Sequence, residues 1–431
     1  MTVEIARETL PNGLVVIAIH RPWGRTAMVC VDVRVGARYE APDDAGLSHF
    51  LEHMVFQGCA GHPGPDAVNE ASERLGSAID ASTSRAHTHF EHHVAVDRLA
   101  ESARLLAAVL TTPAFMSIET ERGIILEEAL DEFDETGNRI DPDTISRRHL
   151  WPDVPLGHSI IGELAHIKRF QVDDLRRHHT RFYGASNMVA TLVGPQGTDA
   201  LQRIAREAFG GLPRGQRHVP ARSKAPVSGP IVDLVRDHRS QCDARLVVRT
   251  PGQDHADSAA LAMLRLALDD GLASRMHRRL GNELGLAYDQ WAMWEDYPDT
   301  GAFELGAQLS PGKVATFYDE ALGLMEGLAE QPPTGDELDR VRFRARWAFQ
   351  SALETPEGLA ALHGTPHLWW SDPPSPATRM AQLEAVDSAT LGRVARQLLD
   401  PAEMVAVCVG PLDRTSRRAV RARIRRLGAS D

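Results

Sequence analysis

The sequence predicts an α+β protein made of two homologous halves, each a mostly antiparallel sheet packed with helices. Its 431 residues exceed the usual size of one compact domain. Residues 188–195 and 404–411 both read M-V-A-x-x-V-G-P, which marks an internal repeat. Stretches of alternating polarity are interleaved with stretches of helical period. We therefore predict a first domain at 1–212, a linker at 213–230 and a second domain at 231–431.

The elements of the first half follow from turn signals and periodicity. The Asn12-Gly13 turn introduces a β-branched strand that ends at Ile19. Further strands are predicted at 27–35, within 76–94 as a strand or hairpin, and at 187–194. Helices are predicted around His49 and at 67–75, 99–110, 118–128, 141–149 and 173–183. In the second half we expect strands at 231–235 and 244–249, and helices at 257–268 and 274–283.

Composition narrows the class of protein. Hydrophobic residues make up 43% and charged residues 25%, which is ordinary for a soluble globular chain. The net charge is −12, and no basic, aromatic-rich stretch indicates a nucleic-acid partner. Residues 414–426 are basic, but Val420 and Ile424 recur there at helical spacing, so we interpret them as a solvated terminal helix.

Cysteines and the N-terminus bear on the compartment. The four cysteines are far apart, and Cys30 and Cys408 lie in apolar runs typical of buried thiols, so no disulfide framework is expected. Residues 1–10 are polar and include no apolar signal region, and no stretch reaches transmembrane length. These features predict a cytoplasmic protein without a membrane partner. A periplasmic location is the alternative if the N-terminus was trimmed.

The most informative stretch is His49-Phe50-Leu51-Glu52-His53. On a helix, His49 and His53 are one turn apart and project from the same face. Two imidazoles so placed can reach one zinc ion at the usual distance of about 2.0–2.1 Å. Glu52 lies on that face and can hold a water molecule, an arrangement suited to hydrolysis. A solvated amphipathic helix is the alternative interpretation.

An acidic helix downstream offers a third ligand. Glu121 and Glu128 are seven residues apart, two helical turns, and therefore share a face, whereas Glu127 points elsewhere. One carboxylate could bind the ion and the other could support the ligands. An ordinary charged helix is the alternative.

Together the two motifs resemble the signature of the pitrilysin/insulinase family of zinc metallopeptidases, especially its bacterial branch similar to mitochondrial processing peptidase. That family combines H-x-x-E-H with a later E-R-x-V-I-L-x-E, and residues 121–128 here read E-R-G-I-I-L-E-E. The resemblance implies one Zn²⁺ per chain, held by His49, His53 and Glu128. It implies Glu52 as general base and Glu121 as a supporting carboxylate, in two halves that face each other across a cleft.

A second segment of the resemblance concerns the substrate. Residues 80–83, D-A-S-T, are similar to the family's N-A-x-T at a sheet edge, where an extended substrate adds as a further strand. The resemblance thus assigns Asp80, Ala81 and Thr83 to substrate binding. Asp80 replaces the usual Asn and Phe90 the usual Tyr, so the site could accept a different or basic substrate residue there.

Four histidines, His87, His89, His92 and His93, cluster in the same region. A second metal site is conceivable. We favour an interpretation in which they line a strand face or the cleft without binding a metal, because no carboxylate is spaced with them as a further ligand.

The second half departs from the family at one position. Residues 284–288, L-G-L-A-Y, resemble a segment in which a Tyr and an Arg seven residues earlier stabilise the tetrahedral intermediate. Tyr288 is present, but the earlier position is Gly281. Arg278 could substitute, or a related subunit with an intact pair could complete the enzyme, an arrangement that we favour over a homodimer. Alternatively, Tyr288 is a strand tyrosine that packs at the domain interface.

The sequence therefore predicts a zinc-dependent endopeptidase that cleaves unfolded peptides or small proteins, as the catalytic chain of a two-chain enzyme. Its substrates range from one dedicated precursor to peptides in general. The alternative from another class is a non-catalytic subunit that binds extended peptides.

Overall fold

The computed structural model describes residues 3–427, which form eleven strands and fifteen α-helices. The strands are β1 (Glu4–Thr9), β2 (Val15–His20), β3 (Thr26–Val33), β4 (Gly76–Thr83), β5 (Thr88–Ala95), β6 (Met188–Gly194), β7 (Ile231–Arg236), β8 (Cys242–Thr250), β9 (Asp289–Asp296), β10 (Gly301–Leu309) and β11 (Met404–Gly410). The helices are α1 (Leu47–Val55), α2 (Pro65–Glu73), α3 (Leu99–Thr111), α4 (Ile118–Ala129), α5 (Pro142–Leu150), α6 (Leu164–Arg169), α7 (Val172–Phe182), α8 (Thr198–Phe209), α9 (Ser258–Leu268), α10 (Val314–Glu330), α11 (Gly335–Leu353), α12 (Pro356–His363), α13 (Pro376–Ala385), α14 (Ser388–Gln397) and α15 (Arg414–Leu427).

The chain forms two compact units, and neither is one contiguous stretch. Within the described residues, unit 1 comprises 3–129, 158–221 and 350–376. Unit 2 comprises 130–157, 222–349 and 377–427. The boundaries at 212 and 231 therefore do not delimit these units, because residues 130–157 and 350–376 each belong to the unit formed mainly by the other half. The change of unit after residue 221 does fall inside the predicted linker, 213–230, where no helix or strand forms.

Unit 1 is built on a six-stranded sheet in the order β1-β2-β6-β3-β5-β4. Only β2 and β6 pair in parallel, and the other neighbours are antiparallel. Every residue of β6 is buried because both faces of the sheet are covered. Leu359 and Ala360 of α12 pack on one face against Ile17, Met28 and Val193, and α1, α3 and α7 belong to the same unit.

Unit 2 repeats that plan with five strands in the order β7-β11-β8-β10-β9. Again one neighbouring pair, β7 and β11, is parallel and the others are antiparallel. The two copies of the repeated segment, β6 and β11, occupy the same place in their sheets. The prediction of two mostly antiparallel α+β halves is thus confirmed. In the described part of the chain, unit 2 has no counterpart of β1.

Most predicted elements are present, and the departures are local. The 76–94 segment is a hairpin of β4 and β5, and residues 414–427 form the terminal helix that was expected. The predicted helix at 274–283 is mostly a π-helix, His277–Glu283. Strand β1 was not predicted, because its sequence, E-I-A-R-E-T, is half charged. Among residues 3–427, no helix is both long and apolar enough to cross a membrane.

Candidate metal centre

Helix α1 presents His49, Glu52 and His53 together. Its Phe50, Leu51 and Met54 are fully buried, and this apolar stripe fixes the face on which the polar residues stand. The two imidazole rings lie 4.8 Å apart, centroid to centroid. Burial, followed by the neighbouring His53, lowers the pKa of His49 to about 3. His49 is therefore neutral near pH 7, which is the form that binds a metal.

The N-terminus of α1 is held by a buried carboxylate that the sequence motifs did not reveal. Glu40 accepts hydrogen bonds from the backbone N–H groups of Gly46 at 2.9 Å and Ser48 at 2.7 Å. Burial raises the pKa of Glu40 to about 7. Gly46 has a φ of 96°, and a Cβ there would lie 2.4 Å from the carbonyl oxygen of Ile161. The helix start is thus fixed by Glu40 and by a backbone crossing that only glycine permits.

Helix α4 brings Glu128 to the histidines. One Glu128 oxygen lies 3.6 Å from Nε2 of His49, and the other lies 3.7 Å from Nε2 of His53. The candidate ligand atoms of these three residues all lie within 4.8 Å of one another. Ligand atoms around tetrahedral zinc are roughly 3.3–3.4 Å apart, so small side-chain shifts would let all three bind one ion. The three predicted metal ligands are therefore brought together.

Glu121, two helical turns before Glu128 on α4, supports this group. Its Oε2 lies 3.1 Å from Nδ1 of His53, and Gln57 donates to its Oε1 at 2.8 Å. Glu121 is 9% exposed, so this hydrogen bond is well shielded from water. With Nδ1–H directed at a carboxylate, His53 leaves Nε2 free for a metal. Gln57 follows the H-x-x-E-H motif by four residues, and helical spacing was the only signal for it.

Glu52 is anchored to the neighbouring strand. The Thr83 hydroxyl donates to its Oε2 at 2.5 Å. Burial raises the pKa of Glu52, and the hydrogen bond from Thr83 and the charge of His53 oppose that shift. A carboxylate with a raised pKa is better able to hold a proton near neutral pH.

Strand β4, which carries Asp80, Ala81 and Thr83, is the edge of its sheet, as predicted. Ala81 and Thr83 are half-buried, whereas Asp80 is exposed on the opposite face. One side of β4 pairs with β5, with Ala81 opposite Phe90. Its other side is the open edge of the sheet, where an extended chain could pair with unpaired backbone groups.

The four histidines of β5 and its preceding turn do not form a second metal group. Within residues 3–427, His49, His53 and Glu128 are the sole cluster of three His, Cys, Asp or Glu side chains close enough for one ion. His92 is buried, with Nε2 3.0 Å from the carbonyl oxygen of Ser77. His89 pairs with Asp32 at 2.7 Å on the opposite sheet face. The favoured interpretation, histidines that line strand faces, is consistent with this geometry.

Tyr288 and Gly281 lie in unit 2. Tyr288 is fully exposed in the loop before β9, so it is not a packing residue within its unit. Gly281 is inside the π-helix, and a Cβ there would meet only Gln290 and His277 at ordinary contact distances. Arg278 is exposed beside Arg279, which is held by Glu320.

Known proteins match nearly the whole chain. One family model, described as insulinase (peptidase family M16), matches residues 15–162, and another, described as the peptidase M16 inactive domain, matches residues 169–344. An uncharacterized zinc protease of Mycobacterium tuberculosis is 30% identical over 410 residues, covering 94% of this chain and 93% of its own. The chain belongs to the insulinase family of peptidases, M16. The resemblance drawn from its two motifs is thereby confirmed.

Other M16 relatives agree with this assignment. A probable mitochondrial-processing peptidase subunit beta of Arabidopsis thaliana is 25% identical over 423 residues, covering 94% of this chain and 78% of its own. A protease from Helicobacter pylori superposes with a TM-score of 0.88 at 21% identity, over 95% of this chain and all of the other. A Pseudomonas fluorescens structure titled as a peptidase M16 inactive domain gives a TM-score of 0.84 at 19% identity, over 95% and 99% of the chains. The M16 fold is therefore shared across the described chain.

Proposed function

We propose that this M16 protein is a zinc-dependent endopeptidase that cleaves extended peptides. The observation that carries the proposal is the convergence of His49, His53 and Glu128 on one point, within 4.8 Å of one another. Two imidazoles and a carboxylate form a donor set that zinc prefers in catalytic sites. The chain would then hold one Zn²⁺, in keeping with its similarity to an uncharacterized zinc protease of Mycobacterium tuberculosis.

Bound zinc supplies a Lewis acid that polarises a scissile carbonyl and lowers the pKa of water. The protein's own residues supply the proton transfers. Glu52 accepts a proton from the attacking water and returns it to the leaving amine, a sequence that its raised pKa favours. Thr83 holds Oε2 of Glu52, which leaves Oε1 for the water. Glu121 fixes the ring orientation of His53.

Substrate recognition on β4 follows from its place at the sheet edge. An extended peptide can pair with the free side of Asp80, Ala81 and Thr83 as an added strand. Because Thr83 also binds Glu52, pairing there would set the scissile bond beside the general base. Exposed Asp80 favours a basic residue nearby in the substrate.

A second candidate function is a peptide-binding subunit that requires a partner for cleavage. Gly281 lacks the side-chain donors that the family pattern supplies, which favours this candidate. A related chain with an intact Arg/Tyr pair would complete such an enzyme, and a homodimer is the alternative. The Arabidopsis relative is described as a subunit, which agrees with a multichain arrangement in part of the family.

The deciding experiment compares Glu52→Gln with Glu127→Gln in the purified chain. Zinc content is measured by elemental analysis, and cleavage is followed on a quenched-fluorescence peptide mixture. Glu127 is exposed on α4 and belongs to no metal group, so its variant controls for loss of one charge. We expect Glu52→Gln to retain zinc and lose cleavage by roughly a thousandfold or more, since it removes the general base. Unchanged cleavage in zinc-loaded Glu52→Gln would refute the mechanism.

Zinc content and cleavage of the parent chain distinguish a self-sufficient enzyme from one that requires a partner chain. Zinc near one per chain with robust cleavage supports a self-sufficient enzyme. Zinc near one without cleavage supports the two-chain candidate, and the next step is reconstitution with a related chain. Absence of zinc from protein purified without chelators would overturn the central claim.

A further inference from the structure

The most basic surface of unit 2 is a groove beside its terminal helix. We call it the basic groove: it is lined by Arg236 at the end of β7, by Leu412, and by arginines of α15, and encloses about 1020 Å³. The arginines are Arg414, Arg417, Arg418, Arg421 and Arg425. They recur at helical spacing on one face, so the groove carries a line of positive charge along the helix.

Most of these guanidinium groups meet no partner within the protein. In the described range 3–427, Arg236, Arg414, Arg418, Arg421 and Arg425 make no ion pair and no side-chain hydrogen bond. All five are exposed. This concentration of unpaired cations occurs in a chain whose net charge is −12, where acidic groups are in excess. The groove is therefore complementary to an anionic ligand.

Unit 1 shows what occupies the corresponding place in the first half. There β1 pairs antiparallel with β2, from Glu4 opposite His20 to Thr9 opposite Val15. Helix α8, which follows β6 as α15 follows β11, packs on these strands. Arg206 of α8 binds Glu8 of β1 at 3.1 Å. The sheet edge is thus covered by an extended strand whose acidic side chain pairs with an arginine of the helix.

Unit 2 has the same helix and the same edge but no such strand. Strand β7 is the last strand of its sheet, and no described residue pairs with its outer side. Arg417 instead donates a hydrogen bond to the Leu234 carbonyl of β7. Counted from the first residue of each helix, Arg206 of α8 corresponds to Ala422 of α15, which also lines the basic groove. Arg418, Arg421 and Arg425 lie within one helical turn of Ala422 and therefore surround the position from which Arg206 binds Glu8.

We propose that the basic groove binds an extended, acidic segment of a polypeptide, which pairs with β7 as β1 pairs with β2. Backbone hydrogen bonds to the open edge would give the segment its register. Carboxylates on alternate residues would face the arginines of α15, whose planar guanidinium groups bind carboxylates with two hydrogen bonds. This function is additional to peptide cleavage at the metal centre.

Two other anionic partners fit the groove less well. Its lining includes no aromatic side chain on which the bases of a single-stranded nucleic acid could stack. A membrane-surface helix needs a free apolar face, whereas Val420 and Ile424 of α15 are completely buried in the core of unit 2. An acidic polypeptide requires neither feature.

Fluorescence anisotropy with a labelled peptide in which glutamate alternates with threonine tests the proposal. The full chain carries Glu52→Gln so that the probe remains intact, and binding is therefore read independently of cleavage. We expect saturable binding that weakens as salt rises, because the paired charges are exposed. Replacing glutamate by glutamine in the probe, or methylating alternate backbone nitrogens, should each weaken binding by roughly tenfold.

Variants of the protein identify the surface. We expect R418Q/R421Q/R425Q to weaken probe binding roughly tenfold or more. Arg423→Gln is the matched control on the same helix, because Arg423 binds Asp319 outside the groove. Hydrogen exchange should show slower exchange of β7 amides with the probe and unchanged exchange in β9.

Several results would overturn the proposal. These are absence of probe binding, equal binding by the N-methylated probe, or equal loss in Arg423→Gln. Tighter binding of oligothymidylate than of the acidic probe, without protection of β7, would replace it with a phosphate-binding surface. Because the N-methylated probe changes the ligand alone, the test stands even if the triple variant fails to fold.

Discussion

Helices α1 and α9 occupy equivalent places in the two units, and only α1 carries residues of the candidate metal centre. In the chain, α1 lies between β3 and the edge strand β4, and α9 lies between β8 and the edge strand β9. Strands β3 and β8 occupy the same place in their sheets, next to the repeated strands β6 and β11. Helix α1 reads L-S-H-F-L-E-H-M-V and leaves a polar face beside β4. Helix α9 reads S-A-A-L-A-M-L-R-L-A-L and is buried on most sides.

The difference shows how little of the scaffold is needed for the site. The sheet, the helix and the edge strand are common to both units. What unit 1 adds is two histidines and a glutamate on one helix face, together with carboxylates on α4 that reach them. In unit 2, Met263, Leu264 and Ala267 fill the corresponding helix with apolar side chains that belong to the core. The same backbone arrangement thus carries a candidate metal centre in one unit and core packing in the other.

The largest expected effect comes from replacing one ligand in α1. His49→Ala should reduce zinc from about one per chain to near zero and abolish peptide cleavage, because two ligands remain for an ion that requires three. Nδ1 of His49 meets no hydrogen-bond partner among the described residues, so the replacement breaks no hydrogen bond at that atom. Zinc analysis and the quenched-peptide assay measure the effect.

The matched change in α9 is Leu264→Ala. It should lower the free energy of unfolding by about 2–5 kcal/mol, since Leu264 is completely buried, and leave zinc per folded chain unchanged. Urea denaturation and zinc analysis provide the comparison. If Leu264→Ala removed zinc as fully as His49→Ala does, the separation of chemistry from packing would be wrong.

The buried charges of the two sheets differ in a second way. In unit 1, Asp32 is completely buried and binds His89 at 2.7 Å and Thr365 at 2.9 Å. In unit 2, completely buried Glu304 binds Arg147 at 2.8 Å. Histidine can lose its charge in the ordinary pH range, whereas arginine keeps it.

This contrast predicts a pH dependence confined to unit 1. Burial opposes the charged form of His89, but the hydrogen bond and charge of Asp32 outweigh it and raise the pKa to about 9, from an ordinary value of 6.5. A raised histidine pKa stabilises the fold fully below pH 6.5, and this contribution is lost as pH rises through 9. The loss amounts to about 3 kcal/mol.

Urea denaturation across pH 6–10 measures this loss. The parent should lose stability over that range, and His89→Gln should remove the slope by destabilising the protein most at low pH. The difference between the two proteins cancels the groups that they share. A difference independent of pH would show that the Asp32–His89 pair does not change its charge on folding.

The residues of the candidate metal centre were predictable because they lie in two short motifs with fixed helical spacing. The period of α1 and α4 placed His49 with His53, and Glu121 with Glu128, on common helix faces. The choice of Glu128 over Glu121 as the third ligand came from the resemblance to the insulinase family. Glu40 and Gln57 were missed, since neither belongs to a periodic pattern that distinguishes a buried hydrogen-bonding group from a surface one. They became visible only through contacts made in the folded chain.

The domain plan was predictable in type but not in extent. The repeated M-V-A-x-x-V-G-P segment identified β6 and β11, and through them two similar sheets. Local sequence does not encode which sheet a helix covers, so nothing indicated that α5 would join unit 2 and α12 unit 1. That choice depends on long-range packing, such as Leu359 against Ile17 and Met28.

The smallest expected effect tests the one departure of unit 2 from the family pattern. Gly281→Arg introduces a guanidinium where the pattern has one, and a Cβ fits there with its nearest contact, Gln290 Nε2, at 3.4 Å. If the missing donor limits the isolated chain, kcat/KM on the peptide mixture should rise roughly tenfold, because a positioned donor stabilises the developing oxyanion.

Gly281→Leu controls for the gain in helix propensity, which both replacements share. A rise in Gly281→Arg alone would locate the deficit of unit 2 in that single donor. The two units would then differ both in the candidate metal ligands, which only unit 1 carries, and in the donor that unit 2 lacks at position 281. An equal rise over the parent in both variants would show that backbone flexibility at position 281 matters and that the charge does not. No rise in either variant would show that the missing donor does not limit the isolated chain.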